Sequence, residues 1–328
     1  MVCFNGEIGV GIMPDTKVKK EILNKEVLLS FDKKNWNEKK YGSYYKTILL
    51  FITNQCNLDC LNCFYRASIC RVPDEMSFEY IKKIVDNNPN VDKYDIMGGE
   101  PLLHSQLKKI INFLEKNNKK IGLYTNGFLL NRLPLNYKKL KLNIAFHSID
   151  SKDPSRKPLD ILATNIKKYQ YIYPIKLVFL MDNNNKMMLS EVAEYIENNF
   201  DNIDKLTIGA IRNEYDYYND DYPDVMNLQE YCDIVQNFIN NYKGKLNIDI
   251  FSEGMLYTEN LPRSTKNQIN RFRCIYNNNE YSSCLYDIGP NKRIKFDPTK
   301  PLKYTDCKYC PKTKKDRCLT DKIKLQHK

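Results

Sequence analysis

Thr47-Ile-Leu-Leu-Phe-Ile-Thr53-Asn-Gln-Cys56-Asn-Leu-Asp-Cys60-Leu-Asn-Cys63 joins a continuous apolar run to three cysteines spaced four and then three residues apart. The run over Thr47–Thr53 reads as a strand buried on both faces. The cysteines follow it at once, so they belong to the loop at its C-terminal end. With 11 cysteines in 328 residues, a given cysteine has others at both +4 and +7 by composition alone with a chance on the order of 0.001. Three thiolates on one short loop can bind three irons of a 4Fe–4S cube, and the fourth iron then has no protein ligand within the loop. A zinc site completed by Cys70 is the alternative reading of the same spacing.

Outward from this segment the chain alternates regularly. Strand patterns fall at Lys93–Met97, Lys120–Tyr124, Leu142–His147, Ile175–Met181 and Leu206–Ile211. Helical spacing falls at Ser77–Asp86, Leu107–Lys116, Leu159–Tyr169, Leu189–Asn198 and Leu228–Asn240, with a poor helix after Asn126. Six strand-then-helix steps imply parallel strands with right-handed crossovers. The expectation is an α/β fold: a partial (β/α)6 TIM-like barrel with ligands gathered at the C-terminal strand ends. Residues 1–45 read as an N-terminal extension, 46–245 as the barrel, and 246–328 as a small, loop-rich, Cys-rich domain. An extension of this length is short for a separate peptide-recognition domain.

The odd number of cysteines, in two groups, argues against a disulfide framework and for metal or catalysis in a reducing compartment. The second group, Cys274, Cys284, Cys307, Cys310 and Cys318, lies where no core is evident, so a metal is expected to help that segment fold; a zinc knuckle at Cys307-x2-Cys310 is one form of this. No secretion signal and no run of about 18 apolar residues is present, so a cytoplasmic protein without membrane contact is expected. The formal charge is +11. Much of the excess lies between Asn291 and Lys328, with 13 Lys/Arg against 4 Asp. That tail reads as a solvated surface or as a contact for phosphates or carboxylates, nucleic acid included.

These motifs resemble those of the radical S-adenosylmethionine (radical SAM) superfamily. Cys56-x3-Cys60-x2-Cys63 is similar to its cluster signature. Gly98-Gly99-Glu100-Pro101, ending the second strand, resembles its GGEP motif, whose backbone and acid bind the methionine amino group. Thr125-Asn126-Gly127 ends the third strand and Ser148-Ile149-Asp150 the fourth, where related enzymes place polar contacts. Phe64 stands beside the expected adenine contact, although the residue before the third cysteine is Asn62 rather than an aromatic. Arg212 closes the sixth strand as a further contact. The resemblance implies a 4Fe–4S cluster and S-adenosylmethionine, reductive cleavage to a 5′-deoxyadenosyl radical, and hydrogen abstraction from a small-molecule or peptide substrate, the outcome being oxidation, epimerisation or crosslinking. It also implies an electron donor such as flavodoxin or ferredoxin. The tail resembles SPASM and twitch domains, with Asn279 where glycine is usual, and implies one auxiliary 4Fe–4S cluster on Cys274, Cys284, Cys307 and Cys310, with Cys318 as an alternative ligand.

Tyr217 and Cys232 are candidates to donate a hydrogen atom or electron. Tyr217 lies in an acidic, tyrosine-rich stretch, 214–224, suited to a cationic substrate or to solvent. Two further readings are a radical enzyme modifying tRNA or another nucleic acid, and a non-enzymatic zinc-binding module.

Overall fold

The computed structural model describes residues 47–60, 63, 65, 74–149, 159–210, 228–250, 272–276, 280–282, 294–295 and 298–299. The strands are β1 (Thr47–Phe51), β2 (Lys93–Met97), β3 (Lys120–Thr125), β4 (Leu140–Ala145), β5 (Ile175–Met181), β6 (Lys205–Ala210), β7 (Ile248–Ile250), β8 (Phe272–Tyr276), β9 (Glu280–Ser282) and β10 (Ile294–Lys295). The helices are α1 (Phe78–Asp86), α2 (Leu107–Lys116), α3 (Leu159–Tyr169), α4 (Leu189–Asn199) and α5 (Leu228–Asn241).

Strands β1 to β7 lie side by side in chain order, all parallel, and form an open sheet of the partial-barrel kind. The elements arise from ordinary sequence causes. Ser77 caps α1 by accepting from the Tyr80 N–H at 3.3 Å, which satisfies one of the helix's orphan donors. On α2 the buried residues Leu107, Ile110, Ile111 and Leu114 recur at three- and four-residue intervals, the stripe a helix lays on a sheet.

Alternate residues of each strand face opposite ways, and the two faces differ. Ile48, Leu50, Tyr94, Ile96, Leu142 and Ile144 belong to one buried core shared with the helices. The other face carries Asp95, Asn143, Lys176 and Thr207 at the same pleat phase as one another. Lys93 Nζ lies 2.8 and 2.9 Å from the two Asp95 carboxylate oxygens, and Lys205 pairs with Asp249 at 3.2 Å. Burial lowers the Lys176 pKa, while Asp249 and, more weakly, Asp95 support its charge. Lys176 on β5 thus feels both β2 and β7, as side chains do when a sheet curls around a common lumen. The floor of that lumen carries these two ion pairs.

The expected strand and helix positions are met with small shifts. The fourth strand is Leu140–Ala145 rather than Leu142–His147. Phe146 N–H still donates to Val178 O at 2.8 Å, but the His147 ring then intervenes by accepting from Leu180 N–H at 3.1 Å, so the ladder ends. Between β3 and β4 there is only a short 3-10 turn, Leu130–Arg132. Pro134 follows and cannot continue a helix.

The sheet also continues past Lys245. β7 pairs with β6, and β8 pairs parallel to β1 with Thr47 level with Phe272 and Phe51 level with Tyr276. β9 and β10 extend that edge antiparallel. Cys274, expected in a loop, lies within β8, opposite Leu49 on one side and Ser282 on the other. The physical reason is the β1 edge: an uncovered row of β1 backbone groups is a liability that a further strand removes. Among the described residues, no helix is long and apolar enough to cross a membrane.

Candidate cluster and S-adenosylmethionine site

The C-terminal ends of β1, β2 and β3 meet. Beyond its formal end, β1 stays zipped to β2: Ile52 N–H donates to Met97 O at 2.9 Å, Gly99 N–H to Thr53 O at 2.8 Å, and Glu100 N–H to Gln55 O at 2.7 Å. On its other side the same stretch is held by Met76 N–H donating to Ile52 O at 2.7 Å and by a bridge between Thr53 and Glu75. The start of the cysteine loop is therefore gripped from both sides.

The two glycines make this approach possible. Gly98 has φ +148°, and a Cβ there would stand 2.4 Å from Thr53 O. A Cβ on Gly99 would stand 2.1 Å from Gln55 O and 3.1 Å from Cys56 Cβ. Backbone oxygen cannot yield to such a contact, so any larger residue would push β2 away from the cysteines.

Glu100 is fully buried. Its Oε1 accepts from Thr125 Oγ1 at 2.8 Å and from Leu102 N–H at 3.1 Å; its Oε2 accepts from Asn126 N–H at 2.9 Å. Burial raises its pKa to about 7 against the pull of those three donors. One lone-pair position on Oε2 has no bond from these groups, so the carboxylate is placed to receive further N–H donors. Asn126 extends the network: its Nδ2 donates to Asn57 Oδ1 at 2.9 Å and its Oδ1 accepts from Phe128 N–H at 3.1 Å. Gly127 has φ +79° and accommodates the sharp turn after β3. One side-chain chain thus links the cysteine loop, the end of β2 and the end of β3.

Cys56, Cys60 and Cys63 are half-buried thiols outside any disulfide. Cys63 N–H donates to Cys60 O at 3.2 Å, folding the second half of the loop. Burial pushes the Cys56 thiol up; a bond from Leu58 N–H to its sulfur, 3.4 Å, pulls it partly back, and the Glu100 charge adds to the rise. A thiol in this position becomes a ligand when a metal stabilises the thiolate. Among the described residues no three His, Cys, Asp or Glu side chains converge on a single ion. Sulfurs bound to separate irons of a cube need not converge, so the fit of the loop to a cube rests on donor type and number. Three thiol donors on one loop, a backbone cradle that only glycine permits, and a buried Asn57 Nδ2 with no hydrogen-bond partner among the described residues suit that group.

The other expected residues fall as follows. Pro101 is buried and opens a short 3-10 turn that Glu100 caps. Ser148, at the end of β4, is half-buried, with its Oγ 4.0 Å from Met188 Sδ. Cys232 falls within α5. Phe64, Asp150, Arg212, Tyr217, Cys284, Cys307, Cys310 and Cys318 lie outside the described residues. His104 and His147, which have no assigned role, are structural. His104 Nδ1 accepts from Gln106 N–H at 3.0 Å, so its Nε2 carries the proton given to Met76 O at 2.9 Å. The sequence reading missed Asn57, Gln55 and Glu75; Asn57 alone had a signal, its place between Cys56 and Cys60.

Residues 50–172 match the family model for the Radical SAM superfamily. Radical SAM proteins use a 4Fe–4S cluster and S-adenosylmethionine. Among relatives, a "Probable GTP 3′,8-cyclase" of Methanococcus vannielii is 32% identical over 168 residues, covering 48% of this chain and 56% of that protein. A protein of the same name from Methanococcus maripaludis is 36% identical over 120 residues, 36% of this chain and 40% of its own. The chain thus spans about half the length of the curated relatives it matches. Among solved structures, SuiB of Streptococcus suis bound to precursor peptide SuiA aligns with TM-score 0.61 at 16% identity, over 77% of this chain and 63% of SuiB. Native anSMEcpe with bound AdoMet and Kp18Cys peptide aligns with TM-score 0.57 at 17% identity, over 77% of each chain. At these identities the likeness is one of fold.

Two predictions follow from this geometry. Gly99→Ala is expected to lower iron content after anaerobic reconstitution to less than half of wild type. Gly122→Ala, whose Cβ would meet a rotatable Asp95 oxygen at the same 2.1 Å but far from the cysteines, is expected to load normally; iron and sulfide assays decide. Second, because the Glu100 pKa is raised to about 7 in the folded chain from 4.5, the folded state holds this proton more tightly than the unfolded one. The stability contributed is complete below the unfolded value and is lost as pH rises through about 7. The difference in urea-unfolding free energy between the metal-free wild type and Glu100→Gln should therefore shift against the wild type by about 3 kcal/mol from pH 4 to pH 8.

Proposed function

We propose that this protein is a radical SAM enzyme that cleaves S-adenosylmethionine reductively and abstracts hydrogen from a small-molecule or peptide substrate. The observation that carries the reading is the convergence of the three-cysteine loop, the double-glycine turn and buried Glu100 at the C-terminal ends of three adjacent parallel strands. The match of residues 50–172 to the superfamily supports it. Relatives named for a nucleotide reaction and a structural neighbour bound to a peptide support the two substrate classes.

Cys56, Cys60 and Cys63 would hold the cluster, and S-adenosylmethionine would complete it at the iron they leave open. Together these groups, once given an electron by a carrier such as flavodoxin or ferredoxin, supply a 5′-deoxyadenosyl radical able to attack an unreactive C–H bond. The chain's own residues position and enclose. Gly98 and Gly99 bring backbone close to the bound molecule. Glu100 offers its remaining acceptor position to the methionine amino group, and its three internal bonds keep it from swinging away. Thr125 and Asn126 fix Glu100. Ser148, Asp150, Arg212 and Phe64 are assigned to the nucleoside end, and Tyr217 and Cys232 to hydrogen or electron donation. An auxiliary cluster on Cys274, Cys284, Cys307 and Cys310, with Cys318 as the alternative ligand, fits the remaining cysteines; the seat of Cys274 within β8, beside β1, supports a site close to the barrel.

Cys60→Ala is expected to abolish 5′-deoxyadenosine formation, by at least about a hundredfold, when reconstituted protein, S-adenosylmethionine and dithionite are analysed by mass spectrometry. Retention of wild-type yield in that variant would overturn the reading.

A further inference from the structure

Asn57 stands between Cys56 and Cys60, and its amide orientation is fixed from outside the loop. Phe128 N–H can only donate, and it gives its proton to Asn126 Oδ1. Asn126 Nδ2 is therefore the donor in its 2.9 Å contact with Asn57, and the atom that receives it is Asn57 Oδ1. That leaves Asn57 Nδ2 on the far side of its amide, buried and without a hydrogen-bond partner among the described residues. Burying an amide donor unpaired is costly, and a protein keeps such a group where some acceptor meets it. The group lies one residue from one thiol ligand and three from the next, so the acceptor that the loop itself gathers is sulfur.

We propose that Asn57 Nδ2 donates a hydrogen bond to a sulfur of the cluster held by Cys56, Cys60 and Cys63, and so raises its reduction potential. The inference rests on the radical SAM reading above. The physical basis is charge: reduction adds an electron to the cluster, so an N–H aimed at sulfur stabilises the reduced form more than the oxidised one. Asn126 is then a positioning residue, holding the amide with its donor end toward the loop.

The test compares Asn57→Leu with Asn126→Leu by potentiometric titration of the reconstituted full-length protein, followed by electron paramagnetic resonance without S-adenosylmethionine. Both variants lose the tether, but only Asn57→Leu loses the donor. Asn57→Leu is expected to be about tenfold harder to reduce than wild type, about 59 mV for one electron. Asn126→Leu is expected to stay within about threefold of wild type. Where the leucine variants load poorly, Asn57→Ala against Asn126→Ala repeats the comparison. Equal potentials in the two variants, or no shift from wild type, would overturn the proposal. So would weaker S-adenosylmethionine binding by Asn57→Leu at unchanged potential, which would assign the donor to that cofactor. Failure of the wild type itself to load a cube is a separate result, and it removes the reading on which the proposal stands.

Discussion

The close approach of the β2 end to the cysteine loop is the constraint on which the site depends. It is set by two positions without side chains and one buried carboxylate. Gly98 and Gly99 let backbone lie against Thr53 and Gln55 where any Cβ would collide with carbonyl oxygen. Glu100 then turns inward and is met by Thr125 and Asn126 from β3. Removing the carboxylate would leave buried donors unpaired, at about 1–3 kcal/mol each. The charge at Glu100 is itself costly in this setting, which is why its pKa rises. A buried acid with an unused acceptor position is primed for a ligand that brings N–H groups.

The rest of the fold serves this arrangement. Parallel strands with returning helices place every strand's C-terminal end on one rim, so short motifs far apart in sequence meet there. The helix-facing residues are apolar and form a single core. Near its floor the lumen holds two ion pairs, Lys93 with Asp95 and Lys205 with Asp249. The rim end of the same lumen is the end where the cysteine loop sits. Covering β1 with β8 completes the sheet on the side where the loop emerges.

Much of this was legible in the sequence. β2, β5 and the helices α2 and α3 were bounded correctly because their apolar patterns are strong. The three cysteines, the double glycine and Thr125-Asn126-Gly127 could be placed at successive strand ends by counting alone. What could not be read is pairing across long separations. The bond from Asn126 to Asn57 spans 69 residues, and nothing local marks either side chain as the other's partner. The placement of β8 beside β1 is of the same kind: Phe272–Tyr276 is short, and its role follows from an edge that only the folded sheet exposes. The early end of β4 depends on the His147 ring capturing a backbone N–H of β5, a choice that strand propensity does not encode.

The central claim is that the loop leaves one iron open and that the methionine end of S-adenosylmethionine occupies it beside Glu100. Electron–nuclear double resonance of the reduced protein with S-adenosylmethionine carrying 15N in its amino group tests this most directly. The account predicts a resolved 15N coupling to the cluster that is lost in Cys60→Ala. A normal cluster signal with no 15N coupling, while the cofactor is bound, would contradict it.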